Sequence, residues 1–213
     1  MKVSSLLTAI ALTLAVAAPA TAQQPPAPLA GETLEGVAEA EYDCDPTGPG
    51  SATFDAAGVA EGPYPGTFEE SGRFDFVPRE QIGGGGFYVP RTTDFRARFE
   101  IDSVAGDVVG TKSKSYPPGA GLFGACPGQM LSEADYDAII RTADGTYRDR
   151  GTSFVFMNTP PEPTSFFLEN FTASTSFAPF TKQDCKDEAN AQLVALAFPG
   201  GEKECKDFVK GKR

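Results

Sequence analysis

Two carboxylate pairs, Glu69 with Glu70 and Asp135 with Asp137, stand out in a chain that contains no histidine and four cysteines. Paired carboxylates are the minimum equipment of a glycoside hydrolase, which needs one acid and one base or nucleophile on opposite sides of a scissile bond. Glu69 and Glu70 are consecutive residues of a strand-like segment, so they point to opposite faces and cannot form one site by themselves. Asp135 and Asp137 share a face. With Tyr136 and Ala138 directed inward, that face meets water. Without histidine, Ser–His and Cys–His nucleophile pairs and His-ligated metals are excluded. No catalytic residue is assigned, and a carboxylate-dependent hydrolase is the most distant of the functions considered. Tyr42-Asp43-Cys44-Asp45 offers two acidic groups before Pro46-Thr47-Gly48. Calcium takes six to eight oxygens from several segments, and a turn-forming aspartate accounts for Asp45 equally well. No metal ligand and no cofactor is expected.

The cysteines take their meaning from the start of the chain. Lys2 precedes an apolar run over 6–16, followed by Ala20-Thr21-Ala22. A positive residue, a short apolar core and an A-x-A site read as a secretory signal peptide cleaved near Ala22. The run is too short to span a bilayer, and no later segment is longer, so no transmembrane span is expected. The mature chain is then secreted, extracellular or cell-surface associated, where cysteines pair. Cys44, Cys126, Cys185 and Cys205 allow three connectivities. The expected one is local, Cys44 with Cys126 and Cys185 with Cys205. Zinc is the alternative, but no Cys-x-x-Cys and no histidine accompany them.

Charge is unevenly spread. The net charge is −11, yet residues 182–213 nearly balance. The acidic excess therefore lies on 23–181. Such a body repels phosphate, so nucleic acid is not an expected partner.

The elements that position these residues read as β-structure. In 94–102, Phe95, Ala97, Phe99 and Ile101 alternate with Asp94, Arg96, Arg98, Glu100 and Asp102. Strict period-two alternation buries one face and wets the other. The outward stripe carries both signs, which favours cross-strand ion pairs. Ala105-Gly106-Asp107 turns this strand into 108–115. Strands are also predicted at 34–42, 51–60, 67–76, 134–142, 146–150 continuing into 152–157, and 165–171. In 67–76, Phe68, Phe74 and Phe76 share a face, with Gly72 as a candidate bulge. About eight strands joined mainly by hairpins predict an all-β, mainly antiparallel sandwich or up-and-down barrel. The organisation is a signal peptide over 1–22, a Pro-rich leader over 23–33, a β-domain over 34–178 and a helical tail over 179–213.

Two long loops interrupt the pattern. One, 78–90, contains Gly83–Gly86. A phosphate-binding loop would continue with Lys and Ser or Thr into a helix, whereas Phe87-Tyr88-Val89 follows, so the glycines read as a spacer. The other, 116–131, contains Cys126. Loops on a rigid β scaffold are where binding residues concentrate, and Phe87, Tyr88, Tyr116 and Phe123 are the candidates.

In the tail, Thr181 is a candidate N-cap with Asp184 three residues on. Cys185, Ala189, Leu193 and Leu196 then share one helical face. Pro199-Gly200-Gly201 ends that helix, and 202–210 forms a second. A Cys185–Cys205 bridge needs Cα atoms within about 7 Å. The first helix must then break, near Asn190, or 199–205 must return in an extended path.

Residues 58–72, GVAEGPYPGTFEESG, resemble a motif of uncharacterised secreted bacterial β-proteins. Residues 101–115 are similar to their next hairpin. Thr181-Lys182-Gln183-Asp184-Cys185-Lys186, with Cys205 and Phe208-Val209, is similar to their paired-cysteine C-terminus. This chain has Asp187-Glu188-Ala189 where that group carries glycines and an aromatic residue. The resemblance implies secretion and β-architecture, and no activity.

Two functions follow as expectations. One is a non-catalytic secreted or cell-surface β-module binding a protein, a glycan or an envelope component. The other is a small-ligand-binding β-barrel, which requires an apolar interior pocket of several hundred cubic ångströms.

Overall fold

The computed structural model describes residues 25–44, 48–78, 90–159 and 165–211. The signal-peptide segment, Asp45, Gly83–Gly86, Phe87 and Tyr88 lie outside the described residues. Eight strands follow one another: β1 (Thr33–Asp43), β2 (Gly50–Glu61), β3 (Gly66–Pro78), β4 (Pro90–Ser103), β5 (Asp107–Ser115), β6 (Gln129–Thr142), β7 (Gly145–Asn158) and β8 (Phe166–Pro179). Each pairs antiparallel with the next, and β8 returns to β1, so the sheet closes into a barrel. Of the two predicted architectures, sandwich and barrel, the chain forms the barrel. Closure satisfies strand edges that an open sheet would leave unpaired.

Alternation decides what fills the barrel. Phe95, Ala97, Phe99 and Ile101 of β4 are all buried. The charged stripe between them faces outward, where Arg96 pairs with Asp75 and Arg98 with Glu100. On β4, apolar side chains therefore face the lumen and charged ones the outside. Among the described residues no helix is long and apolar enough to cross a membrane.

The lumen is packed with rings from opposite walls. Phe54 of β2 touches Phe95 of β4 and Phe167 of β8, with centroids 6.3 and 5.9 Å apart. Phe68 meets Phe167 at 5.5 Å, and Phe99 meets Phe171 at 5.4 Å. Glycines on the inward phase allow close approach of backbone or ring. Gly36 and Gly58 oppose each other across β1 and β2, flanked in register by Phe167 and Phe68. A Cβ on Gly58 would lie 2.6 Å from the Gly36 Cα. Gly72 has the same role and is not a bulge. It stays in register with Phe54 and Ala97, and a Cβ there would lie 2.6 Å from the Phe54 ring. The irregularity in β3–β4 pairing falls instead between Asp75 and Phe76.

The two ends differ in construction. At the turn end, short turns join β2 to β3, β4 to β5 and β6 to β7. Residues 27–32 lie across this end as a strap. The Tyr64 hydroxyl donates to the Ala27 carbonyl at 2.7 Å, and the Leu29 N–H donates to Asp149 Oδ2 at 2.7 Å. Leu29 is fully buried. At the opposite, loop end, the 116–128 loop doubles back along the start of β4. The disulfide Cys44–Cys126 ties it to the segment leaving β1.

The tail lies outside the barrel. The second disulfide, Cys185–Cys205, is the predicted one, so the local connectivity holds for both bridges. Thr181 and Asp184 cap each other: the Thr181 N–H donates to Asp184 Oδ2 at 2.7 Å, and the Asp184 N–H donates to Thr181 Oγ1 at 3.4 Å. A long first helix does not form. Two 3-10 turns, Asp184–Lys186 and Glu188–Asn190, flank an extended Asp187 before α1 (Ala191–Ala197) and α2 (Gly201–Val209). This break brings the two bridged Cα atoms to 5.9 Å. It also rotates the apolar face: Ala189 is exposed, and Asn190 is buried in its place. The buried Asn190 donates to the Asp184 carbonyl and accepts from Arg148. Phe180, Leu193, Val194, Ala197 and Phe198 cover Val109 and Ile139 on the outer face of β5 and β6.

Candidate functional site

Three charged residues meet inside the barrel. Glu70 (β3), Lys112 (β5) and Glu169 (β8) have fully buried side chains. Lys112 Nζ donates to Glu70 Oε2 at 2.5 Å and also to Glu169 Oε2. It lies 4.1 Å from the centroid of the Phe99 ring and 5.0 Å from that of Phe171, each a cation–π contact. The second oxygen of each carboxylate, Glu70 Oε1 and Glu169 Oε1, is buried with no hydrogen-bond partner among the described residues. Burial, reinforced by the adjacent Glu169 carboxylate, pushes the Glu70 carboxyl well above the usual range, and Lys112 only partly offsets this.

A second buried carboxylate site holds the strap. Asp149 accepts hydrogen bonds from the Leu29 N–H, from the Tyr136 hydroxyl at 2.9 Å and from Ser174 Oγ at 2.5 Å. Desolvation and the Asp149 charge push the Tyr136 phenol up. Nearby, Glu32 accepts from the Tyr64 N–H at 2.7 Å, and its other oxygen has no partner among the described residues. Burial pushes the Glu32 carboxyl up to about 7.

The outer surface carries a different pattern. Leu131, Phe156 and Leu168 are aligned in register across β6, β7 and β8 on the outward phase. The row reaches β1 at Glu35 and β2 at Val59. Phe156 also meets Phe166, with centroids 6.1 Å apart. Glu35 interrupts the row at the β8–β1 seam, and Val37 and Val59, 60 % and 53 % exposed, stand on the outward face beyond it. Beside them, a groove of about 480 Å³ crosses β1 to β4. Val37 and Ala57 line it, together with Glu39, Asp55, Glu69 and Glu100 and the single cation Arg98. The groove thus joins a short aliphatic floor to a ring of carboxylates.

The predicted site residues are distributed as follows. Glu69 faces the outer groove and Glu70 the lumen, as strand alternation requires. Asp135 is exposed, and Asp137 is held by Arg148 and Arg150. These four carboxylates therefore do not converge on one cleft. Tyr116 is anchored, its hydroxyl accepting from the Glu133 N–H at 2.8 Å. Phe123 lies under the Arg91 guanidinium, 4.1 Å from the ring centroid, and is 41 % exposed. The loop brings both to the start of β4, Tyr116 opposite Thr93 and Phe123 opposite Arg91.

Sequence reasoning passed over Lys112 and Glu169. Their signal was a charge standing in the apolar phase: Glu70 in step with Phe68 and Phe74, Glu169 between Phe167 and Phe171, and Lys112 two positions after Gly110. The outer band had the converse signal, Phe154 and Phe156 in the phase that should face water.

No family model, curated protein or solved structure matches this chain.

Proposed function

We propose that this protein is a non-catalytic secreted or cell-surface β-module that binds another protein through the outer face of its barrel. The observation that carries the reading is the outward apolar side chains on either side of the β8–β1 seam, Leu131, Phe156, Phe166 and Leu168 on one side and Val37 and Val59 on the other, the latter beside the carboxylate groove. Apolar centres with a charged rim are the anatomy of protein-binding surfaces. The acidic rim favours a partner segment carrying Lys or Arg, and charge complementarity of this kind steers encounter and sets specificity. The two disulfides suit an oxidising compartment, in keeping with a signal peptide at the start of the chain. The small-ligand-barrel reading has less support, because aromatic rings from opposite walls occupy the lumen where a ligand would sit. The hydrolase reading also has less support, because its candidates Glu69, Glu70, Asp135 and Asp137 point to different faces of the barrel.

A peptide array graded in net charge and apolar content, probed with the disulfide-bonded chain, tests this. Binding to basic, apolar-anchored peptides that is lost in Leu168→Glu and weakened in Glu69→Lys supports the reading. Binding confined to a glycan panel and unaffected by either substitution overturns it.

A further inference from the structure

We propose that Lys112 Nζ and the Glu70 side-chain carboxyl condense to an amide, an internal isopeptide cross-link between β5 and β3 in the centre of the barrel. The reacting groups are already in contact, with Nζ 2.5 Å from Glu70 Oε2. Both side chains, and that of Glu169 beside them, are fully buried among Phe99 and Phe171. An ion cluster in such surroundings is expensive, because desolvation of each charge competes with the attraction between them. Here the cost is increased by two carboxylate oxygens left without a partner. Condensation removes both the ammonium charge and one carboxyl oxygen from that environment.

The three groups also divide the work. In the proposed step Glu70, whose carboxyl is pushed up by burial and by the Glu169 charge, reacts in its protonated form as the electrophile. Glu169 is the base, since it accepts from the same Nζ. The Glu169 carboxylate takes one proton from the Lys112 ammonium. The freed Nζ lone pair attacks Glu70 Cδ, and the N–C bond forms. A second Nζ proton passes by way of Glu169 to a Glu70 hydroxyl, the C–O bond breaks and water leaves. The products are a neutral amide, one water and a protonated Glu169, with no change in oxidation state. Amide formation is uphill between separate molecules in water. Positioning of this kind is worth effective molarities of about 10⁵–10⁸ M, and exclusion of water from the ring-lined lumen opposes the reverse hydrolysis.

Intact-mass measurement of the reduced wild-type chain decides the matter. The expected result is a mass lower than the sequence by one water, about 18 Da, with Lys112 spared by trypsin and a branched peptide joining Lys112 to Glu70. Cyclisation of an N-terminal glutamine removes ammonia, about 17 Da, and is resolved from it. A wild-type mass equal to that of the sequence overturns the proposal, and so does a branched peptide that maps elsewhere. The K112M chain, which keeps an apolar stem, should recover the full sequence mass; persistence of the water loss there also overturns it. In E169Q the linked fraction at a fixed time after synthesis should be lower by about tenfold or more, and a fraction equal to the wild type's removes the role given to Glu169. The wild-type measurement stands whether or not either variant folds.

Discussion

The two ends of the barrel are closed by different physics. At the loop end, Cys44–Cys126 spans 82 residues of sequence. Around it, the Tyr42 hydroxyl donates to the Gly128 carbonyl at 3.0 Å, and Arg91 donates to the carbonyls of Gly119 and Gly121. At the turn end there is no covalent tie among the described residues. The strap is held by two buried carboxylates, Asp149 and Glu32, and by the reciprocal bonds between Tyr64 and Ala27. A covalent clamp is indifferent to pH and sensitive to reductant. The Glu32 carboxyl, pushed up to about 7 by burial, gives the turn end the opposite sensitivity. The loop end therefore suits a role that needs a fixed frame, and the turn end responds to its surroundings.

The largest test of this contrast is at the loop end. The paired substitution Cys44→Ala with Cys126→Ala should lower unfolding free energy by about 4.5 kcal/mol, the chain-entropy value for a loop of that length. Denaturant titration measures it, and a loss under about 1 kcal/mol would remove the loop-end clamp as a stability element. Asp149→Ala comes next. It leaves the Leu29 N–H and the Tyr136 and Ser174 hydroxyls without their shared acceptor, a loss of about 3 kcal/mol. Amide exchange at Leu29 should rise well beyond that at Thr92 of the loop end. Uniform acceleration at both positions would mean global unfolding and no separate strap.

The pH response is smaller and belongs to Glu32. Its carboxyl is raised from 4.5 to about 7 on folding. The folded chain then holds the proton more tightly than the unfolded one. This contribution is complete below pH 4.5 and is lost as pH rises through about 7. Comparing wild type with Glu32→Gln isolates it from the other carboxylates. Between pH 5 and 9 the wild type should lose about 2 kcal/mol that the variant keeps, a figure reduced for partial solvent screening. Parallel pH profiles for the two chains would show that Glu32 is not the latch. Smallest of all, Arg91→Ala removes two hydrogen bonds and the stacking on Phe123, for about 1 kcal/mol. Faster proteolytic nicking within 116–125 would report it; cleavage unchanged from wild type would mean the disulfide alone orders the loop.

Much of the frame was legible residue by residue. The alternation of Phe95 through Ile101 assigned inner and outer faces of β4, and the turn residues separated the hairpins. The requirement for near Cα atoms at Cys185 and Cys205 left either a break in the first tail helix, expected near Asn190, or an extended return over 199–205; the chain takes the break, at the extended Asp187. The sites were harder to read. Consecutive apolar pairs, Val108-Val109 and Ile139-Ile140, marked strands covered on both faces. Nothing local said that the tail would be the cover. Glu70 and Glu169 stood in the apolar phase of their strands, but 99 positions of sequence part them, and only closure of the sheet sets Lys112 between them. The same closure brings the outward face of β8 beside that of β1, since Leu168 lies opposite Glu35 only where the two strands meet.

The sequence by itself determined the β-architecture, the paired cysteines and the exclusion of histidine chemistry, because these follow from period, residue type and short-range geometry. Tertiary structure alone decided that the sheet closes as a barrel, that its lumen holds a Glu–Lys–Glu cluster, and that the outward apolar residues of β6 to β8 come up against β1. Each of these depends on which strands meet after closure, and side-chain alternation fixes a face without fixing what lies opposite it.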